Sequence, residues 1–184
     1  RLWRRVGVCV TVFLTLSVSA VNAPAQSSVP DGEWHAFGRD GANTKYSPLD
    51  QITAENFGDL EIAWRWTSLS KTVVDSDERI RPRGFVATPL MVDSVVYTVT
   101  ALGQVAALDA GTGEQIWEYD PRIYDYLDRP PNMGWHHRGV SYWNDNDSDD
   151  ARIFIASHDL RLVALNADTG RMYPNFGLDG YVGS

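Results

Sequence analysis

Residues 106–117, AALDAGTGEQIW, return 57 residues later as VALNADTGRMYP at 163–174. Each copy reads Ala-Leu, then Asp or Asn, then Ala-x-Thr-Gly, and each follows a β-branched run. Chance does not repeat six matched positions in order. A recurring unit of this length is a structural repeat. Its Thr-Gly turn needs a residue that tolerates positive φ, which Gly113 and Gly170 supply. Trp117, four residues after Gly113, is placed to lay its indole on the neighbouring unit and bury a large apolar face. In the second copy that place is Pro174, so the contact made there must differ.

Working outward, the first unit reads TPLMV (88–92), VVYTVT (95–100), QVAALD (104–109) and EQIWEY (114–119), each joined to the next by a tight turn. That predicts a four-stranded antiparallel meander. The second unit repeats it as GVSYW, RIFIAS, RLVALN and a poorer fourth strand at RMYPNF (171–176). Two insertions stretch its spacing, 120–137 before its first strand and NDNDSDD (144–150) after it. A helix is expected at TAENFGDL (53–60), with Thr53 as its N-cap. A meander has two faces to bury and two open edges, so it must stack on neighbours. Repeating such sheets around an axis covers the faces, which predicts an all-β fold, part of a β-propeller. Two blades do not close a ring, and the chain therefore reads as a piece of a longer protein.

Residues 1–25 differ in composition. Arg1, Arg4 and Arg5 precede the apolar run Val6–Val21, which ends in the small-residue segments VSA and APA. This is the pattern of a secretory signal peptide, with a membrane anchor as the alternative. Cys9, the sole cysteine, lies inside it, so the remainder has no disulfide. That remainder carries 13 basic and 24 acidic side chains, a balance of −11, without a basic cluster. Such a surface repels phosphate backbones and argues against a nucleic-acid partner.

The string ALDAGTGEQIW resembles the tryptophan-docking repeat of the pyrroloquinoline quinone (PQQ)-dependent quinoprotein dehydrogenases. The opening segment WHAFGRDGANTKYSPLDQITAENFGDLEIAWRW (34–66), ATPLMVDSVVYTVT (87–100) and RGVSYW (138–143) are similar to that family's opening run, first blade and start of the second. The resemblance implies an eight-bladed propeller that carries PQQ with a calcium ion over its axis. It implies a periplasmic enzyme oxidising alcohols or aldoses and passing electrons to ubiquinone or a cytochrome c. Domains follow: 1–25 signal peptide, 26–59 opening segment, and 60–184 partial propeller. Within the propeller, 60–67 would be a closing strand, the outer strand of the last blade; blade one spans about 86–119 and blade two about 139–176. The ending NADTGRMYPNFGLDG (166–180) is closer to the glucose dehydrogenases than to the methanol dehydrogenases. Membrane association stays open.

By the same resemblance Arg138 pairs with a carboxylate of the quinone, a task that suits a guanidinium because it binds bidentately and stays charged. Gly139 lets the strand begin close to the ring. His136 and His137 stand just before, where alcohol dehydrogenases of the family carry adjacent cysteines and this chain reads NMGW (132–135). One of the two histidines is expected to touch the cofactor. The alternatives are a surface arginine paired with acidic residues and histidines satisfied within the fold. Val86 replaces a glutamate common in the family. The alternating Asp145, Asp147 and Asp149 fail the EF-hand pattern, since Asp150 stands where glycine is required and Ala156 where the bidentate glutamate belongs. They read as a solvated hairpin tip. No metal site is assigned within the chain, and the calcium ligands and the catalytic aspartate are expected beyond Ser184. A non-catalytic propeller scaffold of the outer-membrane assembly type is the alternative, because such proteins also stack blades with similar turns.

Overall fold

A computed structural model describes residues 29–127 and 134–183; the signal-peptide reading of 1–25 and the first two residues of NMGW lie outside the described residues. Two four-stranded antiparallel sheets dominate it. The first contains β1 (Leu90–Val92), β2 (Val95–Val99), β3 (Val105–Asp109) and β4 (Gln115–Tyr119). The second contains β5 (Ser141–Asn144), β6 (Ala151–Ala156), β7 (Leu162–Asn166) and β8 (Tyr181–Val182). Strand order follows chain order in both, as a meander requires.

The 57-residue offset holds in three dimensions. Val95 pairs with Asp109 and Val99 with Val105, while Arg152 pairs with Asn166 and Ala156 with Leu162. The offset also explains how the sheets stack. Tyr97, Val99, Val105, Ala107 and Trp117 of the first sheet share one buried cluster with Ile153, Ile155, Val163 and Leu165 of the second. Shifted back by 57, the latter four become Val96, Thr98, Ala106 and Leu108, which lie on the other face of the first sheet. Successive strand residues point to opposite faces. Each sheet thus offers one face forward and the opposite face backward, the geometry of consecutive propeller blades.

The repeated turn fastens them. Trp117 Nε1 donates to Ala167 O at 2.7 Å, and the indole lies against Gly170, whose φ is +68°. One unit earlier the same clip recurs. Trp64 Nε1 donates to Ala110 O at 2.9 Å, and its ring lies against Gly113, φ +74°. Any Cβ at either glycine would overlap the ring.

Three expectations change. The helix at 53–60 is a single 3₁₀ turn, Phe57–Asp59, and Thr53 does not cap it: Asn56 Oδ1 instead accepts from Thr53 N. A helix not foreseen from the sequence, α1, spans Ser70–Ser76. The fourth strand of the second sheet is β8 at Tyr181–Val182, because the chain makes one bridge, Met172 to Leu165, and then loops before returning to β7. Segment 60–67 forms no ladder among the described residues. It lies over the backward face of the first sheet, where Trp64, Trp66 and Phe85 line a groove of about 340 Å³ with Val96, Thr98 and Leu108.

Candidate functional site

In a meander alternate connections share an end. The Thr-Gly turns after β3 and β7 therefore lie at one end, and the β2–β3 turn, the β4–β5 connection and the β6–β7 turn at the other. That second end holds the candidate site. A small core anchors it, made of Ile80, Leu102, Ile123 and Trp135, all buried. Arg83 N donates to Trp135 O at 2.9 Å and Thr88 N to Arg138 O at 3.0 Å, so the connection is stitched to the extended segment leading into β1. Gly139 pairs with Thr88 in a parallel bridge; a Cβ on Gly139 would stand 3.3 Å from Thr88 O. Sheets that meet backbone to backbone here have β1 and β5 at their inner edges.

Arg138 lies three residues before β5, next to the Gly139–Thr88 bridge. It is exposed, and its guanidinium has no hydrogen-bond or ion-pair partner among the described residues. Arg39, Arg79, Arg122, Arg152 and Arg161 all sit within salt-bridge distance of a carboxylate. Among the described residues, the surface ion pair offered as an alternative for Arg138 is not formed.

His136 and His137 are engaged with a residue that sequence reasoning missed. His137 Nε2 lies 3.1 Å from His158 Nδ1, and His158 Nε2 lies 3.1 Å from His136 O. A carbonyl can only accept, so His158 Nε2 carries the proton and its Nδ1 is a bare acceptor. His137 Nε2–H must then donate. His136 Nδ1 donates to Gly134 O at 3.0 Å. The His137 and His158 rings meet edge to face at 4.3 Å, and Trp135 packs on His158 at 5.2 Å. Burial, reinforced by the neighbouring imidazoles His158 and His136, pushes His137 down to about 4; burial also lowers His158. Both are neutral at pH 7, as the bonds require.

His158 was legible only through the repeat. The β2–β3 turn closes with Thr100 N to Gln104 O and the β6–β7 turn with Ser157 N to Arg161 O, both at 2.8 Å. Superposed, they align Ala101 with His158, so the histidine is an addition to the second copy. The acidic loop is the β5–β6 hairpin tip, where Asp145 N donates to Asp150 O and Asp145 accepts from Asp147 N and Ser148. Among the described residues, no three His, Cys, Asp or Glu side chains are grouped to hold a metal.

Comparison with known proteins adds the following. The family model for the PQQ glucose/ethanol/alcohol dehydrogenase β-propeller domain matches residues 34–183. The dehydrogenase subunit of alcohol dehydrogenase (quinone) from Gluconobacter oxydans (strain 621H) is 36% identical over 141 residues, covering 77% of this chain and 16% of the relative. Quinoprotein glucose dehydrogenase A from Acinetobacter calcoaceticus is 32% identical over 180 residues, covering 87% of this chain and 21% of the relative. The crystal structure of quinohemoprotein alcohol dehydrogenase from Comamonas testosteroni superposes with a TM-score of 0.58 at 35% identity, over 76% of this chain and 18% of that one. The chain thus spans about a sixth to a fifth of the curated relatives' length.

Proposed function

This chain belongs to the PQQ-dependent alcohol and glucose dehydrogenase family, and from that premise we propose that it forms the first blades of an enzyme oxidising an aldose or alcohol at a carbinol carbon. The observation that carries the reading to a residue is Arg138, a guanidinium held at the inner edge with no carboxylate of its own among the described residues. PQQ is a tricarboxylate, and the donor chemistry fits. Two parallel N–H groups of Arg138 would take one carboxylate, and the stitched backbone from Trp135 to Gly139 would keep them in place. His136, half-buried two residues before it, would be the histidine left to border the cofactor, while His137 is committed to His158. When bound, the quinone supplies the two-electron oxidant, so the protein's part is to orient it and shape its surroundings.

The finer points belong to the same proposal. Arg1, Arg4 and Arg5 followed by an apolar run support export to the periplasm. Calcium, the aspartate that takes the substrate proton, and docking to ubiquinone or a cytochrome c are assigned to other parts of the protein. The relatives include both alcohol and glucose dehydrogenases, which supports either donor class. The test is reconstitution of the full-length protein with PQQ and calcium, followed by dye reduction across aldoses and primary alcohols. Reduction with at least one donor is expected. Absence of turnover with every donor, in protein shown to bind the quinone, overturns the reading.

A further inference from the structure

We propose that His158 is a positioning residue for Arg138: from the β6–β7 turn it clamps the backbone of His136 and the ring of His137, and so fixes where the guanidinium points. This inference rests on the reading of Arg138 given above.

The argument starts from the number of constraints. Trp135 O is held by Arg83 N and Arg138 O by Thr88 N, both from the segment that leads into β1. Between them, His136 O and the His137 ring are held by one imidazole from the second blade. Without His158 two consecutive residues just before Arg138 would lose their only partners from the second blade among the described residues. Gly103 of the β2–β3 turn also lies against the His137 ring, where a Cβ would come within 3.2 Å of Nε2. The clamp therefore joins the two blades at the end where Arg138 emerges. Ala101, the counterpart of His158 in the first copy, cannot form such bonds. The histidine is accordingly a local addition rather than a requirement of the blade fold, and the two blades otherwise close their turns alike. One ring using both nitrogens, as acceptor and as donor, also fixes direction: only the Nε2–H tautomer satisfies both contacts.

The test uses the full-length apoprotein, titrated with PQQ and followed by quenching of tryptophan fluorescence. Arg138→Ala is expected to weaken binding by at least about tenfold. His158→Phe, which keeps an aromatic ring against Trp135, is expected to weaken it by ~10-fold. In the double variant His158→Phe should add nothing, because the guanidinium it positions is gone. His158→Gln, whose Nε2–H can still donate to His136 O, should restore affinity to within about threefold of the parent. If His158→Phe does not fold, His137→Phe removes the same contact from the other side and should show the same dependence on Arg138. Parental affinity in Arg138→Ala sinks the underlying reading. A strong Arg138 effect with an unchanged His158 or His137 variant sinks this inference alone, as does a full additive loss in the double variant. In histidine-15N-labelled protein at neutral pH, His158 must carry its proton on Nε2; a proton on Nδ1 contradicts the clamp.

Discussion

Consider Gly170→Ala. The residue sits at φ +68°, where a left-handed alanine costs about 1–2 kcal/mol. Its new Cβ would stand 2.7 Å from Cδ2 of the Trp117 indole, well inside van der Waals contact. That indole cannot simply withdraw, since its Nε1 is hydrogen-bonded to Ala167 O and its body is buried between the sheets. Overpacking of this kind costs about 1–3 kcal/mol, so the substitution is expected to destabilise by ~2–5 kcal/mol. The shift in urea midpoint of the full-length protein, followed by tryptophan emission, measures it. Two controls isolate the cause. Gly111→Ala, whose Cβ would meet only Asp109 Oδ1 at 3.4 Å, should stay within about 0.5 kcal/mol of the parent. In a Trp117→Ala background the clash disappears, and Gly170→Ala should retain only its backbone cost of ~1–2 kcal/mol. A Gly170→Ala protein as stable as the parent, or one that loses the same amount in both backgrounds, would refute the clip.

Three more expectations can be checked the same way. Trp64→Phe leaves Ala110 O without its indole donor and should cost about 1 kcal/mol in a denaturation series, more if the ring also shifts off Gly113. His137 is buried neutral with its pKa down at about 4 against an ordinary 6.5, so the unfolded chain binds the extra proton between those values. The stability it contributes is therefore complete above pH 6.5 and is lost as the pH falls toward 4, by on the order of 3 kcal/mol. Urea midpoints at pH 7 and pH 4.5 should show a smaller drop in His137→Gln than in the parent, and an equal drop counts against burial as the cause. Asp109→Asn should be neutral to within about 0.5 kcal/mol, because Asn166 already fills that place in the second copy and accepts from Thr169 N as Asp109 accepts from Thr112 N; a larger loss in denaturation would mean that the two turns are not equivalent.

What the sequence disclosed was whatever the repeat controlled. Strands β1 to β7, their turns and the role of Trp117 follow from alternation and from glycine at fixed places, both local signals. The docking partner of Gly113 was not evident, because Trp64 lies outside any complete copy and its neighbour in space is 46 residues away. β8 was misplaced because RMYPNF has strand-like composition, yet only Met172 bridges before the chain leaves the ladder. α1 carries no sustained apolar periodicity and holds no buried residue, so pattern reading had nothing to detect. At the candidate site the local string from Trp135 to Gly139 marked Arg138 and its two histidine neighbours. It could not reveal His158, whose distance of 21 residues from His137 is closed only by stacking of the blades.

The clip of Trp64 on Gly113 bears on the order in which such a chain can fold as it emerges from its N-terminal side. Trp64 is made before the sheet it fastens to, so the backward face of the first sheet meets an aromatic cover as soon as β3 and its turn emerge. Trp117, in contrast, must wait for Ala167 and Gly170 to emerge. Sticky surface is thus capped from behind while it grows forward, and at any moment only the newest sheet stands open to a wrong neighbour.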